Sequence, residues 1–342
     1  MAEDILEPDL PIIDPHHHLW HRFHPGALPA DPHAFEVMGR RYARYLLDEY
    51  LEDLRSGHNV RATVFVDCRS MYRAEGPEAM KPLGEVEFAN GVAAMCDSGI
   101  YGDIGVCAGI VSKADLLLGD AVAEPLEAMI AASSRFRGIR NSASYDADPN
   151  VLGPLAHLKP GLYLSDAFRA GFRQLAALGL SFDAWLLEPQ LPELLDLART
   201  FPEQPIVLDH VGTPLGSARY EGRRDERFAG WRDNIRKLAE LPAMHVKLGG
   251  LAMSFCGFAP DDAERGSSLW WAEQWRPYVE TCIEAFGPER CMFESNFPVD
   301  KYGCDYAVMW NAFKRITAGA SADEKTALYS GTAARFYRLS LQ

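Results

Sequence analysis

Three consecutive histidines, His16, His17 and His18, stand at the end of a short apolar run in the stretch PIIDPHHHLW. Extended backbone sends alternate side chains to opposite faces, so His16 and His18 share one face and His17 takes the other. Two imidazoles converging on one point suit a metal ion or a polarised water, because neutral imidazole is a common metal ligand and a proton carrier near neutral pH. The bland alternative is a chance run at an exposed strand end. The apolar residues on either side, LPII before and LW after, argue instead for a buried strand running into a packed loop.

A histidine pair needs partners, and these depend on the elements that carry them. Eight short apolar, β-branched runs recur along the chain: LPIIDPH (10–16), VRATVFVD (60–67), IGVCAGIV (104–111), RFRGIRN (135–141), LSFDAWLL (180–187), PIVLDHV (205–211), MHVKLGG (244–250) and RCMFES (290–295). Between them lie amphipathic segments such as GEVEFANGVAAMCDSG, ADLLLGDAVAEPLEAMIAAS, DAFRAGFRQLAALG, LPELLDLARTF and WWAEQWRPYVETCIEAFG, several ending at glycine. Alternation of this kind predicts an α/β fold, a (β/α)₈ barrel built as one domain over residues 1–342. An open doubly wound sheet is the rival, but it would carry a glycine-rich phosphate loop after an early strand, and none is present.

A barrel places its active site at the carboxyl ends of its strands. Those ends carry His16 and His18; Asp67 with Arg69 and Tyr72; Arg140 with Asn141; Asp183; Asp209 and His210; Lys247; and Glu294 with Asn296. Long connections follow the first run (21–38), the fourth (142–161) and the seventh (251–268), and loops of that length are expected to wall a pocket.

Composition narrows the function classes. Of 342 residues, 48% are hydrophobic and 24% charged, enough for a full core. A net charge of −14, from 48 acidic and 34 basic residues, disfavours nucleic acid and anionic membrane as partners and leaves small molecules. The seven cysteines are widely spread with no CxxC pair, as expected of core residues in a reducing compartment. With no signal-like amino terminus and no membrane-length apolar run, a cytoplasmic protein is expected, with homo-oligomerisation left open.

Taken in order, DPHHHLW, TVFVDC, FRGIRN, IVLDHVG, VKLGGL and CMFESNFPVDK resemble the amidohydrolase superfamily, in its amidohydrolase 2 branch of TIM-barrel hydrolases that contains 2-pyrone-4,6-dicarboxylate lactonase and sugar lactonases. The resemblance covers nearly the whole chain. It implies opening of a lactone, or a related ester or amide, by activated water. Metal-dependent non-oxidative decarboxylation and an inactive small-molecule-binding barrel are the alternatives. One position departs from the family pattern: Asn296 stands where the branch usually has an aspartate that binds metal and activates water. An amide cannot take up a proton, and its oxygen is a poorer metal ligand than a carboxylate. The reading is therefore no metal or one weakly held divalent ion, zinc first, on His16, His18 and His210.

General-base work then falls to His210 or to Glu294, whose pKa burial is expected to raise, with Asn296 positioning the water. Arg140 is expected to grip a substrate carboxylate, the alternative being a structural ion pair. Lys247 either binds an anion or pairs with Asp209 or Glu294. Arg69 and Tyr72 after the second run either wall the pocket or stand in solvent as loop residues, and with Asp67 they are named as candidate substrate contacts. By strand alternation Asp209 should face away from His210 and hold neighbouring backbone. His21, His24, His33, His58 and His157 are read as surface or supporting residues, and Trp270, Trp271 and Trp275 as packing.

Overall fold

The computed structural model describes residues 3–22, 26–156 and 159–339. Its main sheet has eight parallel strands whose spatial order follows the chain: β1 (Ile12–His17), β2 (Val60–Val66), β3 (Gly105–Ser112), β4 (Phe136–Ser142), β5 (Ser181–Trp185), β6 (Ile206–Leu208), β7 (Met244–Leu248) and β8 (Cys291–Phe293). A parallel bridge between His17 and Phe297 brings the last strand's exit back to β1, and the backbone bonds Asn296 N to His16 O (2.9 Å) and His18 N to Phe297 O (2.8 Å) close the (β/α)₈ barrel. Helices α1 (Leu47–Leu54), α2 (Leu83–Asp97), α3 (Ala123–Ala132), α4 (Asp166–Ala177), α5 (Leu191–Thr200), α6 (Arg224–Ala239), α7 (Ser268–Phe286) and α8 (Tyr306–Ile316) follow the strands in turn.

Alternation within the strands builds two cores. In β2, Ala62, Val64 and Val66 turn into the lumen, where Ile13, Val111, Val207 and Met292 meet them and Phe336 and Tyr337 plug the amino-terminal end. Val60 and Phe65 face outward into the larger core shared with the helices. Each such side chain contributes about 1.5–3 kcal/mol by leaving water, which makes the two-faced burial of these runs the main reason they settle as strands. Trp271 and Trp275 lie in the outer core, as packing, and all seven cysteines are buried and free.

Departures from the sequence reading are local. The segment expected to form one helix before residue 133 breaks at Gly119 (φ 59°), so a 3₁₀ segment (Leu116–Val122) precedes α3. Strand six ends at Leu208, short of the expected 211, and strand eight at Phe293, short of 295. Both stop early where the site begins. His58, read as a surface or supporting residue, is buried just before β2 between the Ala307 carbonyl (3.0 Å) and the Lys314 ammonium (2.9 Å), outside the cavity lining. His24 and His157 lie outside the described residues. No helix among the described residues is long and apolar enough to cross a membrane.

Candidate active site

At the end of β1, His16 and His18 place their ring centres 4.9 Å apart, while His17 turns outward, packs 4.3 Å from the Tyr50 ring and bonds the Val64 carbonyl (3.2 Å) and Thr63 Oγ1 (3.3 Å). The expected register of the triplet is the one observed. Behind it, buried Asp14 accepts from Tyr50 (2.9 Å), Tyr306 (3.0 Å) and the Ser295 N–H (2.9 Å), pinning the chain between Glu294 and Asn296 to the first strand.

His210 lies 4.6 Å from His16, ring to ring. Its Nδ1 is 2.7 Å and its backbone N–H 3.1 Å from Glu294 Oε1, and Glu294 Oε2 is 2.9 Å from His16 Nδ1. One carboxylate thus orients two imidazoles. Such close approach is possible because MHVKLGG ends in two glycines: a Cβ on Gly249 would fall 2.4 Å from Glu294 Cγ, and one on Gly250 (φ 67°) 2.4 Å from His210 Cβ.

The expectation for the Glu294 pKa is reversed. Burial does push its carboxyl up, but the His210 and His16 rings outweigh it and hold the pKa down to about 2. For His210, burial opposes the charge, yet Glu294 and then Asp209 carry the balance above the usual imidazole value. Burial and the nearby Lys247 push His16 well below that value, and burial and Arg140 do the same to His18.

Asp209 is the second correction. It does not face away from His210. The strand stops at Leu208, and His210 (φ 57°) and Val211 (φ 47°) adopt left-handed backbone, so strict alternation fails and both side chains of the Asp-His pair enter the barrel. Asp209 Oδ1 sits 3.0 Å from Lys247 Nζ and 3.6 Å from His16 Nδ1. Lys247 is fully buried, bonds Asp183 Oδ2 (2.7 Å), stands 3.0 Å from His16 Nδ1, and does not line the cavity. It is the ionic floor of the site rather than a contact for substrate.

Above this floor opens a cavity of about 850 Å³ lined by His18, His210 and Asn296, by Asp67, Arg69 and Arg140, and by Trp20 and Trp185. The three long connections supply its walls through Leu28 and Phe35, Pro154 and Leu155, and Met253. Arg140 donates to the Asp67 carbonyl and to His16 Nε2 (3.3 Å). Tyr72 stands back from the cavity and bonds Asp67 Oδ1 (3.0 Å), which also accepts the Arg69 N–H (3.2 Å). Asn296 Oδ1 faces His18 Nε2 (3.2 Å), and its Nδ2 donates to Asp300 Oδ2 (2.6 Å).

Ligand atoms of His16, Asp209 and His210 all lie within 4.8 Å of one another in a buried cluster. Asp209 Oδ2 has no hydrogen-bond partner among the described residues. Two nitrogens and an unsatisfied buried carboxylate oxygen form a donor set that fits a divalent cation such as zinc. Sequence reasoning named Asp209, as a partner for Lys247, but turned it away from His210, and it did not name Asp300 or Lys113. Asp300 carries a signal in its four-residue spacing from Asn296, and Lys113 follows a strand end for which no candidate was named.

The amidohydrolase family pattern matches residues 13–339. A Sinorhizobium fredii protein of uncharacterised function is 35% identical over 339 residues, covering 97% of this chain and 99% of its own length. An L-fucono-1,5-lactonase of Burkholderia multivorans is 29% identical over 335 residues, 96% of each chain. A solved amidohydrolase structure from Burkholderia multivorans, with bound zinc, superposes with a TM-score of 0.70 at 27% identity, covering 96% of this chain and 99% of that one.

Proposed function

The chain belongs to the amidohydrolase family, and we propose that within it this protein is a hydrolase that opens a lactone, or a related ester or amide, of a small carboxylated molecule. The observation that carries the reading is the Glu294–His210 pair at the floor of a cavity large enough for such a substrate. Lactonase activity among relatives at about this distance supports it.

Hydrolysis needs a water relieved of a proton, a carbonyl whose oxygen is stabilised as it gains charge, and a substrate held still. Glu294 takes Nδ1 of His210, which leaves Nε2 as the nitrogen able to accept the proton of an attacking water, and the same carboxylate stabilises the imidazolium that results. Glu294 is itself too weak a base for that proton, with one oxygen bonded to His210 and the other 2.9 Å from His16. His18 and Asn296 form the adjoining polar wall. The Asp300 carboxylate fixes the amide with Oδ1 turned toward His18, where it positions the water. Arg140 stands beside His16 to orient the substrate. Where a divalent cation binds, His16, Asp209 and His210 would hold it, His210 then acting as a ligand in place of its role as base, and the cation would supply Lewis-acid polarisation of the carbonyl and a lowered pKa for water.

The test is a panel of sugar and carboxylated lactones scored by acid release, run alongside metal analysis of the purified protein. Acid release abolished by His210→Asn supports the reading. Release of carbon dioxide from aromatic or unsaturated carboxylic acids, with no lactone opened, would replace it by decarboxylation.

A further inference from the structure

The geometry points to a carboxylate subsite centred on Lys113, directly after β3, as the anchor for a substrate's anionic group; the inference rests on the hydrolase reading and names the substrate class more closely. The chain as a whole carries 48 acidic and 34 basic residues. Among the described residues lining the cavity the balance inverts, with basic Arg22, Arg40, Arg69, Lys113 and Arg140 against acidic Glu36 and Asp67. A negatively charged body that gathers cations around one concave mouth focuses an attractive field for anions there.

Several of those cations are already engaged. Arg22 donates to the Cys68 carbonyl (2.7 Å) and lies 4.3 Å over the Trp20 ring. Arg40 bonds the Gly26 carbonyl, and Arg140 bonds the Asp67 carbonyl and His16. The Lys113 ammonium is half-buried in the wall, yet the structure gives it no hydrogen bond and no ion pair with a described residue. Burial pulls its pKa below the ordinary lysine value; Asp67 and Asp115 counter this, while Arg69 and Arg140 add to it. An amine so placed stands between the charge of Asp67 and those of two guanidiniums without a bonded acceptor, and an arriving anion supplies one. The Ser142 and Ser144 hydroxyls, 2.7 Å apart, line the same cavity and offer further polar contact. Asp67 also lines the cavity, so a phosphate dianion meets more repulsion than a carboxylate does, which favours the carboxylate.

Calorimetric titration of the purified protein with citrate, succinate and inorganic phosphate tests this without requiring turnover. The expected result is that wild type binds a carboxylate probe at millimolar concentration or below, that Lys113→Met weakens it about tenfold or more, and that Lys113→Arg recovers most of the loss. With a carboxylated lactone as substrate, the loss in Lys113→Met falls on KM rather than kcat. Equal citrate binding by wild type and Lys113→Met, tighter binding of phosphate than of citrate, or no carboxylate binding to wild type at millimolar concentration would each overturn the proposal. If no lactone is opened but Lys113→Met still loses carboxylate binding, the hydrolase reading fails while the subsite stands. If lactones are opened and carboxylate binding ignores Lys113, the reverse holds.

Discussion

Replacing Glu294 by glutamine tests the Glu294–His210 pair, because it keeps size and hydrogen-bonding capacity while removing the charge that stands against His210 and His16. In the native site the Glu294 carboxylate is fully buried, 2.7 Å from one imidazole and 2.9 Å from the other. An opposite charge at that range shifts a partner's pKa by about 1–3 units. The acidic limb of the kcat/KM profile, set in the wild type by a His210 held above the usual imidazole value, should therefore move to lower pH by about one unit or more. The plateau should fall about 10²- to 10⁴-fold, because the base is weaker and an amide at this position no longer fixes the tautomer. Stability changes with a definite sign. A carboxyl depressed from 4.5 to about 2 contributes stability that is present above pH 4.5 and lost as pH falls through 2. The size is about 3 kcal/mol at roughly 1.4 kcal/mol for each tenfold change in proton affinity. Turnover measured across pH 5–9, with urea unfolding at pH 7 and pH 3 as the companion assay, reads both effects. A plateau near that of the wild type with an unmoved acidic limb would refute the role given to the Glu294–His210 pair.

Five further substitutions probe the site and the side chains that support it. Asn296→Asp sets a second carboxylate against Asp300, which already lies 2.6 Å from the native amide, so the apo variant should melt earlier at pH 7 and gain more Tm from added zinc than wild type does; equal zinc-induced shifts would sink this. Lys247→Met leaves Asp183 and Asp209 buried without their cation and should cost about 3–5 kcal/mol in denaturant unfolding, a loss under 1 kcal/mol counting against the ionic floor. His17→Asn gives up the bonds to Val64 and Thr63 and the Tyr50 contact and should lower stability by about 1–3 kcal/mol while lactone turnover persists, whereas His16→Asn and His18→Asn should abolish turnover in folded protein. Retained activity in the last two would break the assignment of faces on the first strand.

The barrel was legible because burying strands on both faces writes near-continuous apolar runs into the chain, and all eight runs became strands. The histidine triplet was legible for a related reason: β1 is regular enough through His17 for alternation to sort inward from outward side chains. Tyr50, under His17, belongs to α1, whose buried Leu47, Tyr50, Leu51 and Leu54 follow a helical spacing that the sequence reading did not name. Helices of mixed pattern such as α6, with charge on most of its surface, left little trace of this kind.

Legibility failed where strand geometry ended and chemistry began. Alternation places Asp209 and His210 on opposite faces, but it holds only while the backbone stays extended, and His210 and Val211 have already turned left-handed. That turn brings an acid and an imidazole from adjacent positions to one buried point, a juxtaposition that a regular strand forbids. Glu294 misled in another way. Burial alone raises a carboxyl's pKa, and the sequence displays burial; the two imidazoles that reverse the sign come from β1 and from the turn after β6, and only the closed barrel brings them there. The Asn296 departure also reads differently once Asp300 is placed. The amide's Nδ2 is bound by the Asp300 carboxylate, so its oxygen is directed at His18.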